Sequence, residues 1–129
     1  MSMNIEFIAE GGLDCPLLLI CGRDIAVIGR LAAEFQQLAD GAVGRVAVHE
    51  LAGLNAVGEI CLTALVSDRD EGVVPLAPGV LQWRLTAASW DNVVGLLEPL
   101  ESRSSEEHAH QYIEQSGDIS VIVSTDRSW

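Results

Sequence analysis

Residues 15–38 read CPLLLICGRDIAVIGRLAAEFQQL and hold the two strongest structural signals in the chain. Residues 15–21 form a continuous apolar run, which is too short for a helix and typical of a strand covered on both faces. From Asp24 the apolar side chains recur at helical spacing as far as Leu38. Asp24 is a suitable N-cap and Gly41 a suitable stop. The stretch therefore predicts a buried strand followed directly by an amphipathic helix.

Alternating apolar and polar residues predict more strands on both sides of this unit. We expect them over residues 4–10, 45–51, 59–67, 73–76 and 80–86, with residues 68–72 as a hairpin turn. A second helix is predicted from the spacing of five apolar residues, Trp90, Val93, Val94, Leu97 and Leu100. Its N-cap would be Thr86 or Ser89. Trp83 on a strand and Trp90 on this helix are predicted to lie in the core.

The C-terminal part of the chain fits two interpretations. Residues 108–115 belong either to a helix that begins near Ser104 or to the first strand of a hairpin that turns at Ser116 and Gly117. We prefer the hairpin. The β-branched residues in 119–123 predict a strand in both cases.

These elements predict a single α+β domain over residues 1–129. We expect a mainly antiparallel sheet of six or seven strands, with the two amphipathic helices packed on one of its faces. The strand, helix and strand of residues 15–51 could also form a parallel crossover within a mixed sheet.

The charge of the chain excludes several functions. Nineteen acidic residues face seven basic ones, so the net charge is −12, and all seven basic residues are arginine. Chemistry that needs a lysine is therefore excluded. The scattered arginines form no basic stripe, so we expect no nucleic-acid partner. Neither a leader peptide nor a membrane-length apolar run is visible, and we expect a cytoplasmic protein without a membrane partner.

Cys21 is the candidate for nucleophilic catalysis. It lies where a strand should end and a helix begin, and there the helix dipole can lower the pKa of a thiol. The neighbouring residues do not match a phosphatase loop, because Val27 stands where the phosphate-binding arginine would be. The alternative, which we prefer, is a packed structural thiol.

His108 and His110 are the candidates for metal binding, beside Glu106 and Glu107. Two histidines at this spacing share one face of a strand but point apart on a helix. No second metal-binding motif accompanies them. We therefore expect no metal and no other cofactor, and regard the segment as a solvated polar one.

The leading hypothesis is a small acidic protein-interaction domain, such as an inhibitor or immunity-type protein that covers a basic site on its partner. The negative charge would speed the encounter with a basic protein. Two alternatives are a small enzyme that uses Cys21 or a histidine-bound metal, and a homo-oligomeric domain that pairs through an uncovered sheet edge or face. The carboxylates proposed for the interaction are Asp68, Asp70, Glu71, Glu101, Glu106 and Glu107.

Overall fold

The computed structural model describes residues 3–9, 16–22, 24–101, 110–114 and 119–125. The strands in this part of the chain are β1 (Met3–Ile8), β2 (Leu17–Cys21), β3 (Arg45–Ala47), β4 (Leu54–Ala56), β5 (Cys61–Val66), β6 (Gly72–Ala77), β7 (Val80–Leu85), β8 (His110–Glu114) and β9 (Ser120–Ser124). The helices are α1 (Ile25–Ala39) and α2 (Ala87–Glu101), with two short 3-10 turns at Val48–Glu50 and Val57–Glu59. Neither α-helix is long and apolar enough to cross a membrane.

The strands form two mixed sheets. The first has the order β4-β1-β2-β9-β8 and the second the order β3-β5-β7-β6. Three pairs are parallel, namely β1 with β4, β2 with β9 and β5 with β7, and the other four are antiparallel. The α+β class and the two helices are confirmed, but the expected antiparallel sheet of six or seven strands is only roughly matched, because the nine strands described form two mixed sheets. Alternation shows which side chains face the core, and it does not show which strands pair.

Two predicted connections differ from the structure for this reason. Residues 68–72 do not join neighbouring strands, because β7 lies between β5 and β6 and pairs with both. Helix α1 leads from β2 in the first sheet to β3 in the second, so it is not a crossover within one sheet. A short strand, β4, also forms between the predicted strands of residues 45–51 and 59–67, where the sequence predicts none.

Helix α1 begins and ends as the sequence predicts. The Asp24 carboxylate accepts hydrogen bonds from the backbone N–H groups of Ala26 and Val27, at 3.1 and 3.4 Å. At the other end Gly41 has φ +76°, and its N–H donates to the carbonyl of Leu38. A left-handed glycine at this position satisfies the last carbonyls of a helix at low steric cost.

The main core lies among both helices and both sheets. At its centre Phe35 of α1, Trp83 of β7 and Trp90 of α2 meet with ring centroids 4.8 to 5.5 Å apart. The Trp90 indole N–H donates to the carbonyl of Leu65 at 3.0 Å, so its polar atom is satisfied inside the core. The predicted burial of Trp83 and Trp90 is confirmed.

Strand β2 is buried on both faces, as its apolar run predicts. One face joins the main core, and the other forms a smaller cluster with Ile122 of β9. The antiparallel pairing expected of the C-terminal hairpin is confirmed for β8 and β9, and its predicted turn at Ser116 and Gly117 lies outside the described residues. Strand β7 follows its predicted alternation, with Gln82 and Arg84 turned away from the core.

Candidate functional site

The loop between β5 and β6 contains three of the predicted interaction residues. In this loop Asp70 is tied to the start of α2: one carboxylate oxygen accepts hydrogen bonds from the backbone N–H and the hydroxyl of Thr86, at 2.8 and 3.0 Å. Its other oxygen accepts from the Ser89 hydroxyl at 2.7 Å. Of the two predicted N-caps, Thr86 and Ser89, it is Thr86 that caps the helix, because its hydroxyl oxygen accepts a hydrogen bond from the Ser89 N–H.

Asp70 therefore takes the place that a glutamate on the helix itself occupies in a capping box. The backbone N–H of Thr86 and then the Ser89 hydroxyl hold the pKa of Asp70 below its ordinary value, because they bind its charged form. Although exposed, this carboxylate is already engaged in holding the loop to the helix. Asp70 therefore stabilises the position of the loop and has less capacity than a free carboxylate to bind a partner.

Glu71 and Arg84 form the next polar contact along the loop. The Arg84 guanidinium donates two hydrogen bonds to the Gln82 side-chain oxygen, at 2.9 and 2.8 Å, and a longer one to Glu71 at 3.4 Å. The Glu71 side chain remains 45% exposed. An exposed, single and long ion pair contributes about 0–1 kcal/mol. Glu71 therefore keeps most of its capacity to bind another cation.

A groove begins at Glu71 and runs beside β6. It has a volume of about 490 Å³ and is lined on one side by Glu71, Val73, Val74 and Pro75. Phe7, Pro16 and Ile119 line the other side, so the groove lies between the last strand of the four-stranded sheet and one end of the five-stranded sheet. Its size is within the range of ligand pockets, and its described lining is apolar except for one carboxylate.

The tip of the β6–β7 hairpin exposes further apolar surface beyond the groove. Leu76 is 52% and Val80 is 39% exposed, and the turn residues Pro78 and Gly79 between them are exposed as well. The pairing register of β6 with β7 shifts between Pro75 and Ala77, and Leu76 lies at this irregularity. Charged loop, apolar groove and apolar tip thus follow one another along β6.

Comparison with protein-family models, with curated proteins and with solved structures finds no match for this chain.

Cys21 lies at the end of β2, just before α1, as the sequence predicts. Its side chain is 6% exposed and packs with Leu17, Leu19 and Ile122. The first free amides of α1 that could stabilise a thiolate are bound by the Asp24 carboxylate. This environment is typical of a packed thiol. The reactivity of Cys21 itself stays a prediction.

The proposed metal ligands are only partly placed. His108 lies outside the described residues, and His110 belongs to β8, with its side chain outside the description. Within the part of the chain that the structure covers, no three His, Cys, Asp or Glu residues come together as a metal site. The third histidine, His49, accepts a hydrogen bond at Nδ1 from the Leu62 N–H at 3.0 Å. This contact satisfies a backbone N–H of β5 next to the point where the pairing with β3 ends.

Of the six proposed acidic residues, the three whose side chains the structure describes lie together. Asp68, Asp70 and Glu71 lie in one exposed loop, and the Asp68 side chain has no hydrogen-bond or ion-pair partner among the residues described. Glu101 ends α2, but its side chain lies outside the description, as do Glu106 and Glu107 entirely.

The groove next to this loop is not among the features predicted from the sequence. Its walls come from four separate stretches of chain, around residues 7, 16 and 119 on one side and 71–75 on the other. Because no local pattern records that these stretches meet, the only sequence signal was Pro75. A proline inside a strand is typical of a strand at the edge of a sheet.

Proposed function

We propose that this protein is a small acidic protein-interaction domain of the inhibitor or immunity type, which binds a basic protein. The observation that carries the proposal is the succession of Asp68, Glu71 and an apolar groove at one end of the four-stranded sheet. Protein interfaces combine an apolar centre with a polar rim, and this surface offers both.

The charge of the whole chain supports the same choice of partner. At a net charge of −12 the molecule attracts cationic surfaces over distances beyond direct contact. Asp68 has no partner among the described residues, and Glu71 has one weak contact, so both can bind cations without first losing a strong internal contact. Asp70 supports the interaction indirectly, because it fixes the loop against α2.

The test uses the full chain as bait in a native lysate, with bound proteins quantified by mass spectrometry. Raising ionic strength from about 0.1 M to about 1 M shortens the screening length from about 10 Å to about 3 Å. We expect a stoichiometric basic partner at low salt and its loss at high salt. The double variant Asp68→Asn/Glu71→Gln should reduce its capture about tenfold, since each exposed charge pair contributes up to about 1 kcal/mol.

The matched control removes the same number of charges elsewhere. Glu50 lies in the 3-10 turn after β3 and Glu98 lies in α2; both side chains are exposed, and neither is in the acidic loop or in the described lining of the groove. The variant Glu50→Gln/Glu98→Gln should capture the partner nearly as well as the native chain. Equal losses in the two double variants, or a complex that is indifferent to salt, would contradict the proposed role of this loop.

A further inference from the structure

The structure also points to how the partner binds. Resting on the proposed function, we propose that the open edge of β6 and the groove beside it bind a short extended segment of the partner, which adds a strand to the four-stranded sheet and places an arginine against Glu71.

The residues on the β6 side show that the groove follows the edge of the strand. Val73 and Val74 are consecutive strand residues, and their side chains therefore point to opposite faces of the sheet. Both nevertheless line the same cavity. This is possible where the cavity lies beside the strand, and the other side of β6 is already occupied by β7. The groove thus lies along the backbone edge of β6 that no other strand pairs with in the described part of the chain.

An open edge selects an extended ligand. The N–H and C=O groups along it can pair with another strand, and pairing of this kind supplies affinity while alternate side chains supply specificity. Residues 71–75 span four steps of about 3.3 Å, or about 13 Å. Across the groove, Phe7, Pro16 and Ile119 offer an apolar wall for alternate side chains of the added strand.

The ends of β6 limit the length of this segment. Pro75 has no N–H to donate, and the register with β7 shifts immediately after it. At the other end Gly72 has φ +76°, which turns the chain into the acidic loop. A proline and an irregularity on an edge strand disfavour long sheet-to-sheet pairing with a second copy. A short peptide segment is therefore favoured over a dimer of this chain.

Charge determines what the segment should carry. Glu71 lines the groove at its polar end, and its second carboxylate oxygen accepts no hydrogen bond among the described residues. Asp68 is three residues away in the same loop. A guanidinium suits this end, because it can donate two parallel hydrogen bonds to one carboxylate. The expected ligand is therefore an extended segment in which every second side chain is apolar and one end carries an arginine.

The probe is the synthetic peptide acetyl-Arg-Val-Thr-Val-Thr-amide, titrated into the nitrogen-15-labelled full chain. We expect concentration-dependent shifts of the amide signals of Gly72, Val73 and Val74. A peptide with the same side chains and N-methyl groups on alternate amides should bind about tenfold more weakly, because each lost backbone hydrogen bond costs about 1 kcal/mol. Exchange of the arginine for glutamate should weaken binding by at least about tenfold.

Two variants separate the groove from the rest of the strand. Val74→Arg places a long cationic side chain in the groove, whereas Leu76→Arg makes the same change on the same strand outside its described lining. We expect Val74→Arg to weaken peptide binding at least tenfold and Leu76→Arg to leave it within about twofold. The fluorescence of buried Trp83 and Trp90 reports whether each variant is folded. If Val74→Arg does not fold, the N-methylated peptide still tests the inference on the native chain.

Three results of the peptide titration would overturn the inference. They are equal binding of the N-methylated peptide, shifts that map away from residues 72–74, and shifts at those residues that follow protein concentration alone, as a second copy would cause. The proposed function is judged separately, by the lysate experiment. A basic partner that is lost from Asp68→Asn/Glu71→Gln but retained by Val74→Arg would refute this docking mode and leave the proposed function standing.

Discussion

Replacing Asp70 by alanine tests whether this carboxylate holds the acidic loop to helix α2. The change removes three hydrogen bonds, from the Thr86 N–H, the Thr86 hydroxyl and the Ser89 hydroxyl. All three donors are near the surface, so water can replace part of what is lost. Loss of a capping side chain costs about 0.5–2 kcal/mol, and with three bonds at one carboxylate we expect about 1.5 kcal/mol of lost unfolding free energy.

The assay is urea unfolding followed by tryptophan fluorescence, because Trp83 and Trp90 are fully buried in the native chain. Asp68→Ala is the matched control: it removes the same charge from the same loop, and Asp68 has no hydrogen-bond partner among the described residues. It should change the unfolding free energy by less than about 0.5 kcal/mol. In thermal unfolding the Asp70→Ala midpoint should fall by roughly 4–8 °C.

The pH dependence has a definite sign. Because the folded state lowers the pKa of Asp70, its stabilising contribution is complete above the pKa of the unfolded chain, which is near 4. The contribution is lost as pH falls through the lower pKa of the folded state. The difference in stability between the native chain and Asp70→Ala should therefore be constant at neutral pH and shrink in acid below about pH 4. Equal stabilities of Asp70→Ala and Asp68→Ala at neutral pH would refute the anchoring role.

Two further predictions concern packing and thiol chemistry. Gly53→Ala should destabilise the fold by about 2–4 kcal/mol in urea unfolding, because Gly53 has φ +86° and an added Cβ would lie 2.6 Å from a methyl group of α1. Gly58→Ala, at φ +70° with open space around it, should cost only about 1–2 kcal/mol, and equal costs would contradict the close approach. In a Cys15→Ser background, Cys61 should be alkylated at least about a hundredfold faster than buried Cys21, as measured by peptide mapping. Faster labelling of Cys21 would instead support the hypothesis of a reactive thiol.

The sequence by itself determined the elements that depend on neighbouring residues. The caps of α1 at Asp24 and Gly41 are local hydrogen-bonding and backbone requirements, so they are visible in the order of residues. The burial of β2 on both faces and the alternation of β7 follow in the same way from hydrophobic spacing. The exposure of Asp68, Asp70 and Glu71 was also predictable, because a polar turn between apolar strands stays in water.

Only the tertiary structure decided the pairing of the strands and the construction of the site. Asp70 and Thr86 are 16 residues apart. Neither segment contains a pattern which shows that an aspartate of the β5–β6 loop caps helix α2. The groove likewise depends on β7 pairing with both β5 and β6, which makes β6 the last strand of the four-stranded sheet among the described residues and places it beside Phe7 and Ile119. The physical reason is that the spacing of apolar residues along the sequence shows which side chains are buried and which are exposed. Pairing depends on the path of the whole chain through the shared core, where many partners satisfy the same hydrophobic pattern.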